Sequence, residues 1–123
     1  MRIVFRQYPL PMHQYAQLAA EASAEANAQG KFWQYHDLLF GNQQQLDREH
    51  LEQFAQQVGL DMNRFRRSLD SHSHQAAIRA DMQAFDATGE GGTPTFFING
   101  RVLQGAQPFE QFKAAIDRAL ATR

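Results

Sequence analysis

Gly92-Thr93-Pro94-Thr95-Phe96-Phe97-Ile98-Asn99-Gly100 is the most informative segment of the 123-residue chain. Thr95 to Ile98 is a short β-branched and aromatic run that predicts a strand. Asn99–Gly100 is the preferred two-residue hairpin loop, because a type I′ turn needs positive φ at both central positions. Arg101 to Gln104 is then the return strand. A proline at the entry of a buried strand removes a ladder donor and needs a reason. One reason is a cis Thr93–Pro94 bond, which gives a sharp entry and turns the preceding backbone polar groups outward. Only about 5–6% of X–Pro bonds in folded proteins are cis, so these residues alone favour a trans loop proline.

On the C-terminal side, Gly105 and Pro108 lead into a helix whose face is Phe109, Phe112, Ile116, Ala119 and Leu120. On the N-terminal side, about residues 14 to 88 read as all-helical with short connections. Leu18, Ala19, Ala22 and Ala26 share one face of a helix that Gly30 stops. Phe32, Trp33, Tyr35, Leu39 and Phe40 are too apolar for a solvated helix and should enter a core. Asp47 is a good N-cap for a helix carrying Leu51, Phe54, Ala55 and Val58, and Asp61 for a shorter one with Phe65 and Leu69. Ser71 or Ser73 opens a longer helix with Ile78, Met82 and Phe85 on one face. At the start, Ile3, Val4 and Phe5 predict a buried strand between Arg2 and Arg6. Pro9 and Pro11 then break regular structure.

The length suits one domain, and 43% hydrophobic with 20% charged residues is globular composition. Twelve Lys and Arg against thirteen Asp and Glu give a formal net charge of -1. Long-range attraction to nucleic acid or an anionic membrane therefore has little behind it. No apolar run approaches the length of a membrane span. The cysteine count is zero, which removes disulfides, thiolate nucleophiles and sulfur-held metals from this chain.

The Gly92–Gly100 motif, followed by Gly105-Ala106-Gln107-Pro108 and an amphipathic helix, resembles the C-terminal half of DsbA-like thiol–disulfide oxidoreductases. The resemblance extends to Val4-Phe5-Arg6-Gln7-Tyr8-Pro9-Leu10, to Ala19 to Ala22, and to Gly30-Lys31-Phe32-Trp33 through His36-Asp37-Leu38-Leu39-Phe40. It implies an α/β, thioredoxin-like fold in a single domain over 1–123. An all-helical subdomain would be inserted at about 12–88, and the hairpin and last helix would occupy about 93–122. It also implies that Pro94 takes the cis-proline role and Thr93 the backbone contact to an extended polypeptide substrate. The family's first strand, its Cys-x-x-Cys pair and the following helix have no counterpart here, so the expected fold is N-terminally truncated. Glu90 departs from the family pattern too, where an apolar residue is usual.

In that fold the absent strand is central, between the strands matching Ile3 to Phe5 and Thr95 to Ile98. Its loss leaves open strand edges, so the two remaining strands should re-pair, or a second copy should fill the gap in a homo-oligomer or strand-exchanged dimer. Without a thiolate the chain should be redox-inactive. It is expected to be either a fragment or late-started chain of a disulfide-exchange enzyme, or a Cys-free module that binds peptide or a partner at the Pro94 edge. A third alternative is a relative of the kappa glutathione transferases. No cofactor is expected. Family members commonly work outside the cytosol, but no export signal is visible to assign a compartment.

Other candidates read more simply. His13, His36, His50, His72 and His74 lack metal-ligand spacing, and on a helix His72 and His74 would lie about 200° apart around the axis; in a loop they could converge. His36 belongs at a core edge. Arg64, Arg66 and Arg67 form a solvated helix face. Gly89, Gly91 and Gly92 lead into a strand, not a helix N-terminus, so they do not cradle a phosphate.

Overall fold

The computed structural model describes residues 1–121, and the chain divides into two compact units, Met1–Ala84 and the part from Phe85 onward. In the first, α1 (Ala16–Ala28), α2 (Phe32–Gly41), α3 (Arg48–Gln57) and α4 (Met62–Ser71) pack together, and α5 (Gln75–Asp86) follows and runs across the boundary. The alanines of α1 explain this arrangement. Ala22 and Ala26 are wholly buried, and side chains this small allow α2, α3 and α4 each to approach α1. Tyr35, Leu39, Leu51, Phe54, Ala55, Leu60, Phe65 and Leu69 fill the space around them. Burying a leucine or phenylalanine fully contributes about 1.5–3 kcal/mol, so this core carries the unit.

The helix ends follow local chemistry. At the end of α1 the Gly30 N–H donates to Asn27 O and the Lys31 N–H to Ala26 O, both at 2.9 Å, which satisfies two carbonyls with no helical partner. Lys31 then extends its ammonium to Val58 O at 2.9 Å, beyond the C-terminus of α3, where the helix dipole favours a cation. Asp61 caps α4 by accepting from the Arg64 N–H at 3.1 Å. Asp47 stands at the N-cap position of α3 but makes no side-chain cap bond. Its carboxylate takes the imidazole Nδ1 of His50 at 2.6 Å instead, and that hydrogen bond holds Asp47 below the usual carboxylate range. Neither Ser71 nor Ser73 opens α5. Ser71 closes α4, and the His74 carbonyl accepts from the Ile78 N–H at 3.1 Å as α5 begins.

Three further expectations need correction. Of the apolar residues in α2, Tyr35 and Leu39 enter the core, whereas Trp33 and Phe40 stay exposed. The strand expected over Ile3–Phe5 does not form; Met1–Leu10 has no regular secondary structure. A strand exists only where a neighbour accepts its ladder, and among the described residues no strand pairs with this segment. The segment is held by side chains. Asp81 accepts from Arg6 Nη1 at 3.1 Å and the Gln7 N–H at 3.0 Å, and Gln7 Nε2 donates to Ser23 Oγ at 2.7 Å. The basic cluster on α4 is also partly engaged, because Arg66 Nε meets Glu52 Oε1 at 2.7 Å and Arg64 Nε meets Glu25 Oε2 at 3.2 Å.

The second unit is a hairpin and a helix. β1 (Thr95–Ile98) pairs antiparallel with β2 (Arg101–Gln104), Ile98 opposite Arg101 and Thr95 opposite Gln104. Asn99 and Gly100 join them with φ of 50° and 84°, as the type I′ turn requires. α6 (Phe109–Ala121) packs on β1 through Phe112, whose ring meets Phe96 edge-on at 4.8 Å between centroids. The end expected at 122 lies outside the described residues. Among those described, no residue of this unit is fully buried.

Candidate functional site

The candidate site is the entry into β1. The Thr93–Pro94 peptide bond is cis, and both residues are exposed. Three hydrogen bonds fix the entry. The Thr95 hydroxyl donates to Gly92 O at 2.7 Å, the Gly105 N–H donates to Pro94 O at 2.8 Å, and Gln104 Nε2 donates to Glu90 Oε2 at 2.6 Å. The last bond gives Glu90 a use in the structure: it ties the loop before Thr93 to the end of β2.

The register decides which backbone groups are free. With a two-residue loop, Ile98 and Arg101 exchange ladder hydrogen bonds, and so do Phe96 and Leu103. Pro94 continues that alternation by accepting from Gly105. The N–H and C=O of Thr95 and Phe97 consequently point away from β2, along an edge that no strand among the described residues covers. Side chains alternate the other way. Phe96 faces α6, while Phe97 and Val102 sit opposite each other on the second face and are both exposed. This edge offers an extended backbone two donors and two acceptors beside Thr93, with an apolar pair next to them. The hairpin signal marked this place in sequence; which of its residues face outward follows only from the register.

The histidines do not gather. His36 lies among Phe5, Phe32, Trp33 and Phe40, stacked on Phe40 at 4.4 Å between centroids. His50 meets Asp47, and His72 and His74 reach two different carboxylates of α1, Glu21 and Glu25, each at 2.9 Å. Among the described residues no group of three or more His, Asp or Glu side chains is placed to hold a metal ion. The Glu21 and Glu25 pairings were missed in sequence, because both glutamates are buried although they are charged.

A family model for the DSBA-like thioredoxin domain matches residues 4–117. The chain belongs to that family. Among solved structures, the DSBA-like chain is similar to a thioredoxin-like oxidoreductase from Silicibacter pomeroyi, with a TM-score of 0.84 and 28% identity over 98% of this chain and 69% of that one. Its fold is accordingly thioredoxin-like, with the helices α1 to α5 in the position of the family's insertion. Among curated proteins it is 42% identical to "Na(+)/H(+) antiporter NhaA 3" of Salinispora tropica, over 99% of this chain and 19% of that protein. It is 39% identical to "Na(+)/H(+) antiporter NhaA" of Herminiimonas arsenicoxydans, over 88% of this chain and 17% of that protein. The DSBA-like chain thus spans about a fifth of the length of the curated relatives it matches. Among the described residues no helix is long and apolar enough to cross a membrane.

Proposed function

We propose that this chain is the peptide-docking part of a DsbA-type thiol–disulfide oxidoreductase. Thr93, at the exposed entry of β1, holds an extended polypeptide, and both the thiols that exchange with it and the strand that pairs with the outward edge of β1 come from residues other than these 123. The observation that carries the reading is the exposed Thr93 at an entry to β1 that the Thr95–Gly92 and Gly105–Pro94 hydrogen bonds hold in place, beside an edge that no strand among the described residues covers. Disulfide exchange needs a thiolate to attack a sulfur, and with a cysteine count of zero the chain supplies none. Alone it should therefore bind without reacting.

Titration of the labelled chain with an extended, unstructured peptide tests this. The Thr93, Thr95 and Phe97 amides should shift together, while the Phe96 and Ile98 amides, turned toward β2, should move less. An insulin-reduction assay on the chain should give no turnover. Unperturbed amides at Thr93 and Thr95 would end the docking idea, and turnover would end its thiol-free half. The same open edge favours a second reading, self-association of two copies by edge pairing. Sedimentation at rising concentration separates the two readings: a concentration-dependent dimer that abolishes the peptide shifts would mean that the edge serves the second copy.

A further inference from the structure

The corner between α4 and α5 joins α1 in a way that disulfide chemistry and peptide docking do not require. Glu21 and Glu25 lie one turn apart on α1, and both are almost wholly buried. The corner brings one imidazole to each. His72 Nδ1 stands 2.9 Å from Glu21 Oε1, and His74 Nε2 stands 2.9 Å from Glu25 Oε1.

The backbone here is built to hold that arrangement. The His72 N–H donates to Leu69 O and the Ser73 N–H to Ser68 O, the closure that usually places glycine in the left-handed position after a helix. Here that position is filled by His72, with φ of 54°. A side chain is disfavoured in this conformation, and an observed exception calls for a use. Gly30 fills the equivalent position after α1 at φ of 80° and reaches nothing. His72 reaches a buried carboxylate. A hydrogen bond of 2.7 Å between the hydroxyls of Ser68 and Ser73 closes the corner further.

The charges facing the two imidazoles come from both elements against them. α1 contributes Glu21 and Glu25, whose remaining oxygens accept from the neutral amides of Gln17 at 3.1 Å and Gln29 at 2.7 Å. α4 contributes Arg64, half exposed, whose Nε lies 3.2 Å from Glu25. Farther along α5, Asp81 is occupied by Arg6 and Gln7 of the N-terminal segment. With neutral imidazoles, Glu25 keeps the Arg64 guanidinium, and among the described residues no Lys or Arg forms an ion pair with Glu21. With protonated imidazoles, each carboxylate has its own cation. A neutral imidazole still donates one N–H, so the bonds persist while the attraction between opposite charges is lost.

We propose that the His72–Glu21 and His74–Glu25 pairs form a proton-operated latch that fastens the start of α5 to α1 in mildly acidic solution and slackens it on the alkaline side of neutrality. Histidine is the side chain whose charge ordinarily changes between pH 5 and 8, and Glu25 is held below the usual carboxylate range by its hydrogen bonds and Arg64, which outweigh its burial. The latch acts on the element that crosses from the first unit into the second.

Amide hydrogen exchange on the full chain at pH 5.5 and 7.5, corrected for the intrinsic pH dependence of exchange, tests this. Protection of residues 72–80 should fall roughly fivefold between the two, the size of one good ion pair. Protection of α3 should stay level as the internal control. In His72→Asn/His74→Gln, which keeps a residue suited to the left-handed position, the corner should lose its pH dependence. Equal protection of the corner at both pH values in the unaltered chain overturns the proposal, as does a double variant that keeps the full dependence. If the double variant does not fold, the single His72→Asn variant should show a reduced dependence, and an undiminished one counts against the latch. The comparison in the unaltered chain decides independently of either variant.

Discussion

The hydroxyl of Tyr35 donates to the carbonyl oxygen of Leu51 at 2.8 Å, with the Tyr35 ring wholly buried. The bond joins α2 to α3 across the core and satisfies the one polar atom of a large apolar ring. Burial pushes the Tyr35 phenol far above its ordinary range, so it remains a donor as long as the fold lasts. Tyr35→Phe keeps the packing and removes the bond. The Leu51 carbonyl lies inside α3 and retains its helical role, so the loss should be moderate, about 1 kcal/mol by urea unfolding. An unchanged midpoint would show that the bond contributes nothing net.

Glu25 makes stability fall with acid. Burial alone would raise its pKa, but hydrogen bonds from His74, Gln29 and Ser68 and the charge of Arg64 outweigh burial and lower it below 4.5. A carboxyl depressed by folding contributes stability above its unfolded pKa and loses it as pH drops through the folded value. Glu25→Gln should cost about 1.5–3 kcal/mol at pH 7, the range for hydrogen bonds to a charged group. It should also lessen the loss of stability between pH 5 and pH 3. Parallel acid curves for the two proteins would refute the assignment.

Gly100 holds the hairpin turn at φ of 84°, and a Cβ added there would meet nothing within 4 Å. The cost of Gly100→Ala is therefore purely conformational and should reach about 1 kcal/mol or more. Weaker cross-strand contacts between Phe97 and Val102 in the NMR spectrum would register it. Asn99→Gly should leave the turn intact.

The Asp61 cap gives a simpler case. Asp61→Ala should destabilise by about 1 kcal/mol, and Asp61→Asn should recover most of it, because either side-chain oxygen can accept from the Arg64 N–H. Thermal melts of the three proteins would order them. Equal melting of Ala and Asn variants would mean that the cap bond is not what matters.

What the sequence made legible was local. Asn99–Gly100 declares its turn through two dihedral angles, and Gly30 and Asp61 mark helix ends within a few residues of where they act. Ile3–Phe5 misled because a β-branched run states only that a segment would suit a sheet; a neighbouring backbone must supply the ladder. Asp47 misled because His50 competes for its carboxylate one turn away. The histidine–glutamate pairs join residues 51 and 49 positions apart, and periodicity is silent at that range. A faint signal did exist: Glu21 and Glu25 interrupt the alanine face of α1, where a helix of purely structural purpose would carry more aliphatic side chains.

The distribution of interior side chains has a calorimetric corollary. Among the described residues, every buried hydrophobic one falls between Ala19 and Ile78. The heat capacity gained on melting comes chiefly from wetting apolar surface, so nearly all of it should originate in the helical unit. A calorimeter would record that unit's transition and register little of the hairpin's, even though the hairpin carries the edge on which the proposed activity depends.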